Sequence, residues 1–229
     1  MQSSETGPLL AIDWQHCNHH EAQDLLHTLG WSRFAQGDWA YAYESPSRQL
    51  VARVAPFDPG YQFFVELCSR CQGNLHLPDI HLASKLEGGG HLTVMEHLKP
   101  ADPAAIAAFE HLWEHPEQAD DQLRVLRREV ETMDRWGRQH KRWWVGVDIG
   151  NRHILLSEVR TPKVIDLFGL GTTMLNDLIP DPVEFSRLIS PDECRYLLDM
   201  PDLQDPSHPA EYLQRLERAL SIARTRAAR

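Results

Sequence analysis

Hydrophobic positions recur along the chain with two different periods, and the changes between them mark the elements. Ala22, Leu25, Leu26 and Leu29 share one face at helical spacing, which predicts a helix over about His19 to Leu29 that Gly30 can end. Trp39, Tyr41 and Tyr43 then alternate with period two. A turn at Pro46/Ser47 and the run Gln49 to Ala55 follow, and together these predict a β-hairpin. Beyond the breaks at Pro56, Pro59 and Gly60, residues Phe63, Phe64, Leu67, Cys68 and Cys71 mark one face of a helix that stops at Gly73. His81 to Leu86 and Leu92 to Glu96 flank Gly88, Gly89 and Gly90, a loop able to join antiparallel neighbours. Residues 30 to 98 are thus expected to run strand, strand, helix, strand, strand.

From Pro103 the pattern is helical. Leu123, Leu126, Val130 and Met133 form an apolar stripe opposite Arg124, Arg127, Arg128, Glu131 and Arg138, so a long amphipathic helix is expected over about 120 to 141. Two short apolar strands, Ile154 to Ser157 and Lys163 to Ile165, flank a polar turn at Glu158 to Pro162. The tail is broken by prolines and turns helical from about Pro209, where Ser207 can cap and Leu213, Leu216 and Leu220 face inward.

Composition narrows the function classes. The 229 residues are 42% hydrophobic and 24% charged, enough apolar content for a core and far from a disordered or membrane composition. A formal charge of -10 repels phosphate backbones and anionic lipid, which argues against nucleic acid as a partner. No run approaches the ~20 apolar residues of a membrane span, and the first residues lack a basic stretch leading into an apolar one. The expected location is cytoplasmic, or one reached by a route the sequence does not display. Cys17, Cys68, Cys71 and Cys194 are too few and too scattered for a disulfide framework, so reduced thiols are expected. Cys68 and Cys71 with His76 and His81 lack the spacing of a zinc finger and fit core thiols better. His16, Cys17, His19 and His20 fit a solvated segment better than a metal site.

The richest chemistry lies in Val145-Gly146-Val147-Asp148-Ile149-Gly150-Asn151-Arg152-His153-Ile154-Leu155-Leu156, followed by Lys163-Val164-Ile165-Asp166-Leu167-Phe168-Gly169. A long helix leads to one Asp and a short hairpin returns to the other, so two carboxylates converge. Convergent oxygens suit Mg²⁺, which takes one or two carboxylates plus substrate phosphates.

This stretch resembles the catalytic and metal loops of the protein kinase-like superfamily. The resemblance implies that Asp148 orients and deprotonates an attacking hydroxyl, while Asp166 holds Mg²⁺ against the nucleotide phosphates, with His153 and Asn151 as further metal-site residues. Upstream, Gln36-Gly37-Asp38-Trp39-Ala40-Tyr41 resembles a reduced nucleotide-covering loop. Val51-Ala52-Arg53-Val54 resembles the strand of the phosphate-contacting Lys, with Arg53 in its place. Glu66 falls where that residue's helix partner would lie, and the two are expected within ion-pair reach. Val94-Met95-Glu96-His97-Leu98 resembles the hinge that receives adenine, so Glu96, His97 and Leu98 join Gly37, Arg53 and Glu66 as the expected nucleotide-binding residues.

The implied fold is α+β and bilobal, protein-kinase-like. Residues 1–98 would form an N-terminal helix and a small antiparallel β lobe with one helix, and 99–229 a reduced, mainly helical large lobe with the two loops. Departures are specific. Arg53 stands for Lys, Gly146-Val147 for the usual His-containing pair before the catalytic Asp, His153 for Asn, and the metal loop has one residue more than Asp-Phe-Gly. A His five residues after the catalytic Asp is similar to the lipopolysaccharide-kinase branch. Two functions follow: an ATP- and Mg²⁺-dependent phosphotransferase acting on a hydroxyl of a protein or small molecule, or a pseudokinase serving as a nucleotide-binding or regulatory module.

Overall fold

A computed structural model of the chain describes residues 5–171 and 173–227. In chain order it begins with α1 (Thr6–Leu10), α2 (His19–Thr28), β1 (Ser32–Gln36), β2 (Tyr41–Glu44), β3 (Leu50–Ala55), α3 (Tyr61–Arg70), β4 (Ile80–Lys85) and β5 (His91–Glu96). It continues with β6 (Lys99–Pro100), α4 (Pro103–Glu114), α5 (Asp121–His140), β7 (Trp144–Val147), β8 (Ile154–Leu156), β9 (Pro162–Val164) and β10 (Phe168–Leu170). It closes with α6 (Thr173–Leu178), α7 (Pro182–Leu188) and α8 (Ala210–Ala227). The fold is α+β, with a five-stranded antiparallel sheet in the order β1-β2-β3-β5-β4.

The described residues group into two compact units. One is drawn from Met1–Pro59, His81–Val94 and Thr172–Arg229, the other from Gly60–Ile80 and Met95–Gly171.

In the first unit, α2 starts with a reciprocal cap: the Asn18 side chain accepts from the His20 and Glu21 N–H groups, and the Glu21 carboxylate accepts from the Asn18 N–H. Its apolar face, Ala22 and Leu26, packs with Leu9, Trp14 and Trp31 against Ala52, Val54, Leu92 and Val94 of the sheet. The strand order matches the expected hairpins, with β1 added at the edge. Every residue of β1 is exposed, so no alternation announced it. At the other end of the chain, α6, α7 and α8 pack on one another, and α8 buries Leu216, Ala219, Leu220 and Ala223.

The second unit is built around α5, capped by the Asp120 carboxylate on the Leu123 N–H at 2.8 Å. Its stripe of Leu123, Leu126, Val130 and Met133 meets Phe63, Phe64 and Leu67 of α3, together with Ile154, Val164, Leu167 and Phe168. Two small sheets complete it, β6-β8-β9 and the ribbon β7-β10. Cys68 and Cys71 are buried in this core as free thiols. Burial pushes the Cys68 thiol up to about 12, so it behaves as a small apolar group. His76, also buried, places its ring nitrogens 3.0 Å from the Pro162 carbonyl and 3.0 Å from the Asp120 carboxylate, tying β9 to the start of α5.

Candidate functional site

The β7-β10 ribbon brings the two aspartates to the same end of one small structure. Phe168 pairs with Val147 and Gly169 with Gly146 in antiparallel register. One step further the Asp148 N–H donates to the Leu167 carbonyl at 3.0 Å, which places Asp148 beside the residue following Asp166. Asp166 itself has φ of 53°, a left-handed conformation uncommon outside glycine, which Asp tolerates better than most residues. Such conformations persist where surrounding structure imposes them, and they gather at functional sites. Leu167 and Phe168, both buried in the core, hold this one in place.

The catalytic-type loop is closed by His153. Its Nδ1 lies 3.0 Å from the Asp148 carbonyl oxygen and 3.5 Å from that residue's Oδ2, and its carbonyl accepts the Ile165 N–H at 2.9 Å. A carbonyl can only accept, so Nδ1 carries the proton of the neutral ring and the lone pair sits on Nε2. That is the arrangement of ligating histidines, whose other nitrogen donates to a carbonyl or carboxylate. Asp148 and Asn151 are exposed, while Asp166 is partly buried.

The pair preceding Asp148 has a backbone reason. Gly146 has φ of 106° and sits at an irregularity in the ribbon, where β7 carries one more residue than β10. A Cβ there would also stand 2.5 Å from Arg138 Nη2.

The expected adenine-binding segment is tied down by its own side chains. The Glu96 N–H donates to the Asp79 carbonyl at 3.1 Å, and the Glu96 carboxylate accepts the Asp79 N–H at 2.8 Å while pairing with the buried Lys163. His97 is partly buried and Leu98 buried, leading directly into β6. Lys163 belongs to β9, two residues before Ile165 in the chain. Its buried ion pair couples the segment at Glu96 to the strand that leads to Asp166. Nothing in the local sequence pairs residues so far apart.

In the first unit, Gly37 lies in the turn between β1 and β2, its N–H donating to the Ala40 carbonyl at 2.9 Å. A Cβ added there would meet nothing within 4 Å, so the position is open to solvent. Arg53 of β3 donates from Nη2 to Asp58 Oδ2 at 2.6 Å in a largely buried pair, one that no local sequence pattern announces. Glu66 of α3, in the second unit, accepts two bonds from Arg70 one turn along the same helix, at 3.0 and 2.6 Å.

No protein-family model matches the chain. No curated protein matches it. Among solved structures it aligns with a thermostable mutant of aminoglycoside phosphotransferase APH(4)-Ia in its apo form. The identity is 14% and the TM-score 0.31, over 89% of this chain and 92% of that chain. Among the described residues, no helix is long and apolar enough to cross a membrane.

Proposed function

We propose that the chain is an ATP- and Mg²⁺-dependent phosphotransferase acting on a hydroxyl group of a protein or small molecule. The observation that carries this reading is the convergence of Asp148 and the left-handed Asp166 at one end of the β7-β10 ribbon. The α+β arrangement is compatible with a protein-kinase-like fold, with a nucleotide-binding part before residue 98 and the two loops after it. The exposed Asp148 carboxylate would accept the hydroxyl proton, and His153, bonded to the Asp148 carbonyl, would fix the loop that presents it. Asp166 and the Asn151 amide offer oxygens of the kind a hard cation takes, whereas His153 offers a nitrogen, Nε2, which suits Mg²⁺ poorly. Bound Mg²⁺ would neutralise charge on the nucleotide's β and γ oxygens. Gly37, Arg53, Glu66 and the segment Glu96 to Leu98 complete the proposed nucleotide site.

One observation favours the second reading, a pseudokinase. Arg53 stands where the resemblance expects Lys, and its planar guanidinium does not place charge as an ammonium would, while His153 stands where it expects Asn.

Thermal shift with ATP, with and without Mg²⁺, combined with a transfer assay separates the two. At ~100 times Kd the nucleotide should stabilise the wild type by about 2.7 kcal/mol. Asp166→Ala should remove that shift and all transfer. Asp148→Ala should keep the shift and lower turnover by about 10²- to 10⁴-fold. A wild type that binds MgATP but transfers phosphate to no acceptor is the pseudokinase, and one that shows neither shift nor transfer overturns both readings.

Gly37 supplies a cleaner probe of the covering loop. Gly37→Ala meets open space and should leave the unfolding free energy within the ±0.5 kcal/mol of ordinary surface changes. If the loop lies over phosphates, MgATP affinity in the same titration should fall severalfold. Unchanged affinity would remove Gly37 from the site.

A further inference from the structure

Away from both loops, the first unit brings together three groups that the proposed phosphotransfer does not use. His19 and His20 open α2, and Asp199 ends a 3₁₀ turn at Leu197–Asp199 near the other end of the chain. His19 Nε2 lies 3.4 Å from Asp199 Oδ2, and His20 Nε2 lies 3.3 Å from the same oxygen. One ligand atom from each of the three residues falls within 4.8 Å of the other two, and among the described residues they form the one such His/Cys/Asp/Glu group of three or more.

Hydrogen bonding accounts poorly for this geometry. Ordinary N–H···O contacts span about 2.7–3.2 Å, and here one oxygen faces two ring nitrogens that both stand beyond that range. A tetrahedral ion accounts for it well. With ligand bonds of about 2.0–2.1 Å, the edge of a tetrahedron is about 3.3–3.4 Å, the separation found on both sides of Asp199. His19 is 1% exposed, and its Nδ1 has no hydrogen-bond partner among the described residues. An ion on Nε2 would give this buried ring one strong partner and would place its proton on Nδ1.

The surroundings hold the three groups in place. The Tyr41 hydroxyl donates to the Asp199 carbonyl at 3.2 Å, and the Asp199 N–H donates to the Tyr196 carbonyl at 3.0 Å. The Tyr196 ring packs edge-on against both imidazoles, with centroids at 4.8 and 6.1 Å. That ring is itself backed by the β4–β5 turn, where a Cβ on Gly88 would stand 2.4 Å from it. The helix N-terminus carries partial positive charge, offset here by the Asp199 carboxylate and by Glu21 of the cap.

We propose that His19, His20 and Asp199 bind one divalent transition-metal ion of the zinc class, with a fourth position open to water. Two imidazoles and a carboxylate suit Zn²⁺ and disfavour Mg²⁺, so this site is chemically distinct from the one at Asp166. The ion would join the start of α2 to the Leu197–Asp199 turn, a cross-link between distant parts of the sequence.

The test is calorimetric titration of Zn²⁺ alone into the chelator-treated full chain. The wild type should bind one equivalent saturably, and Zn²⁺ should raise its melting temperature. His20→Ala removes an exposed ring and leaves the backbone cap on Asn18, so the protein should fold as before by circular dichroism. Both His20→Ala and Asp199→Asn should weaken binding at least tenfold, as changes around metal sites do by about 10–100-fold. His16→Ala, whose ring is turned to Asp13, should leave affinity unchanged. No saturable binding by the wild type overturns the proposal. Equal binding by the wild type, His20→Ala and Asp199→Asn overturns it as well, as does a loss in His16→Ala matching that in His20→Ala.

Discussion

Phe168→Ala is expected to destabilise the protein by about 3–5 kcal/mol, the usual cost of emptying a buried aromatic site. For a chain of this size, ~2–4 °C per kcal/mol gives a melting temperature lower by about 10 °C. Phe168 is 1% exposed and stands opposite Val147 in the ribbon, with its ring centroid 5.3 Å from that of Trp144. Trp144 is fixed in turn by a 2.7 Å bond from its Nε1 to Asp134 and by α5, where a Cβ on Gly137 would stand 2.2 Å from the indole. Removing the Phe168 ring leaves a cavity beneath β10, which starts two residues after Asp166. Equilibrium urea unfolding measures the loss. A cost under ~1 kcal/mol would mean that Phe168 belongs to a mobile loop rather than to the core. If the proposed site is real, MgATP binding should weaken in the same variant, since the left-handed Asp166 is held only as firmly as its neighbours.

The contrast between Phe168 and Asp166 shows what the sequence made legible. The stripe of α5 and the face of α2 were plain because one face of each is buried along its length and the periodicity follows. The two aspartates were legible because the motif is local: a helix, a loop and a short hairpin lie within one continuous stretch. The ribbon that joins them was not. Phe168-Gly169 reads as part of the metal loop, because a strand of three or four residues with a bulge beside Gly146 has no period to display. Asp58 as the partner of Arg53, Lys163 as the partner of Glu96, and Asp199 beside His19 and His20 were equally hidden. Each depends on chain paths that only packing decides, and an Arg, Lys or His in isolation is compatible with many partners. The His16–His20 stretch shows the limit most clearly. Read alone it is a polar run, and only a carboxylate from a distant turn gives two of its rings a common centre.

Acid should destabilise the fold through His91. This residue, 9% exposed in β5, has its pKa lowered from 6.5 to about 4. Burial is the main cause, with Arg53 and Lys85 acting in the same sense and Asp58 and Glu193 opposing it. The folded state therefore binds a proton less readily than the unfolded chain, where His titrates near 6.5. Above that value neither state is protonated and the residue contributes no pH dependence. Between pH 6.5 and about 4 the unfolded chain takes up the proton and the folded state does not, so stability falls as pH falls. The loss levels off only below the folded pKa. At 1.36 kcal/mol per pKa unit, the total is on the order of 3 kcal/mol. Other groups titrate in the same window, including the buried His19, also lowered to about 4, so the wild-type profile alone does not isolate His91. The decisive measurement is the difference in unfolding free energy between the wild type and His91→Gln, followed from pH 7 to pH 4 in the presence of chelator. His91→Gln removes the titration and keeps a polar side chain of similar length. The variant can be less stable than the wild type at pH 7, yet its disadvantage should shrink by about 3 kcal/mol on going to pH 4. A difference that stays constant across that range would mean that His91 titrates alike in both states, and that its burial among Asp58, Arg53, Lys85 and Glu193 does not exclude the charged ring.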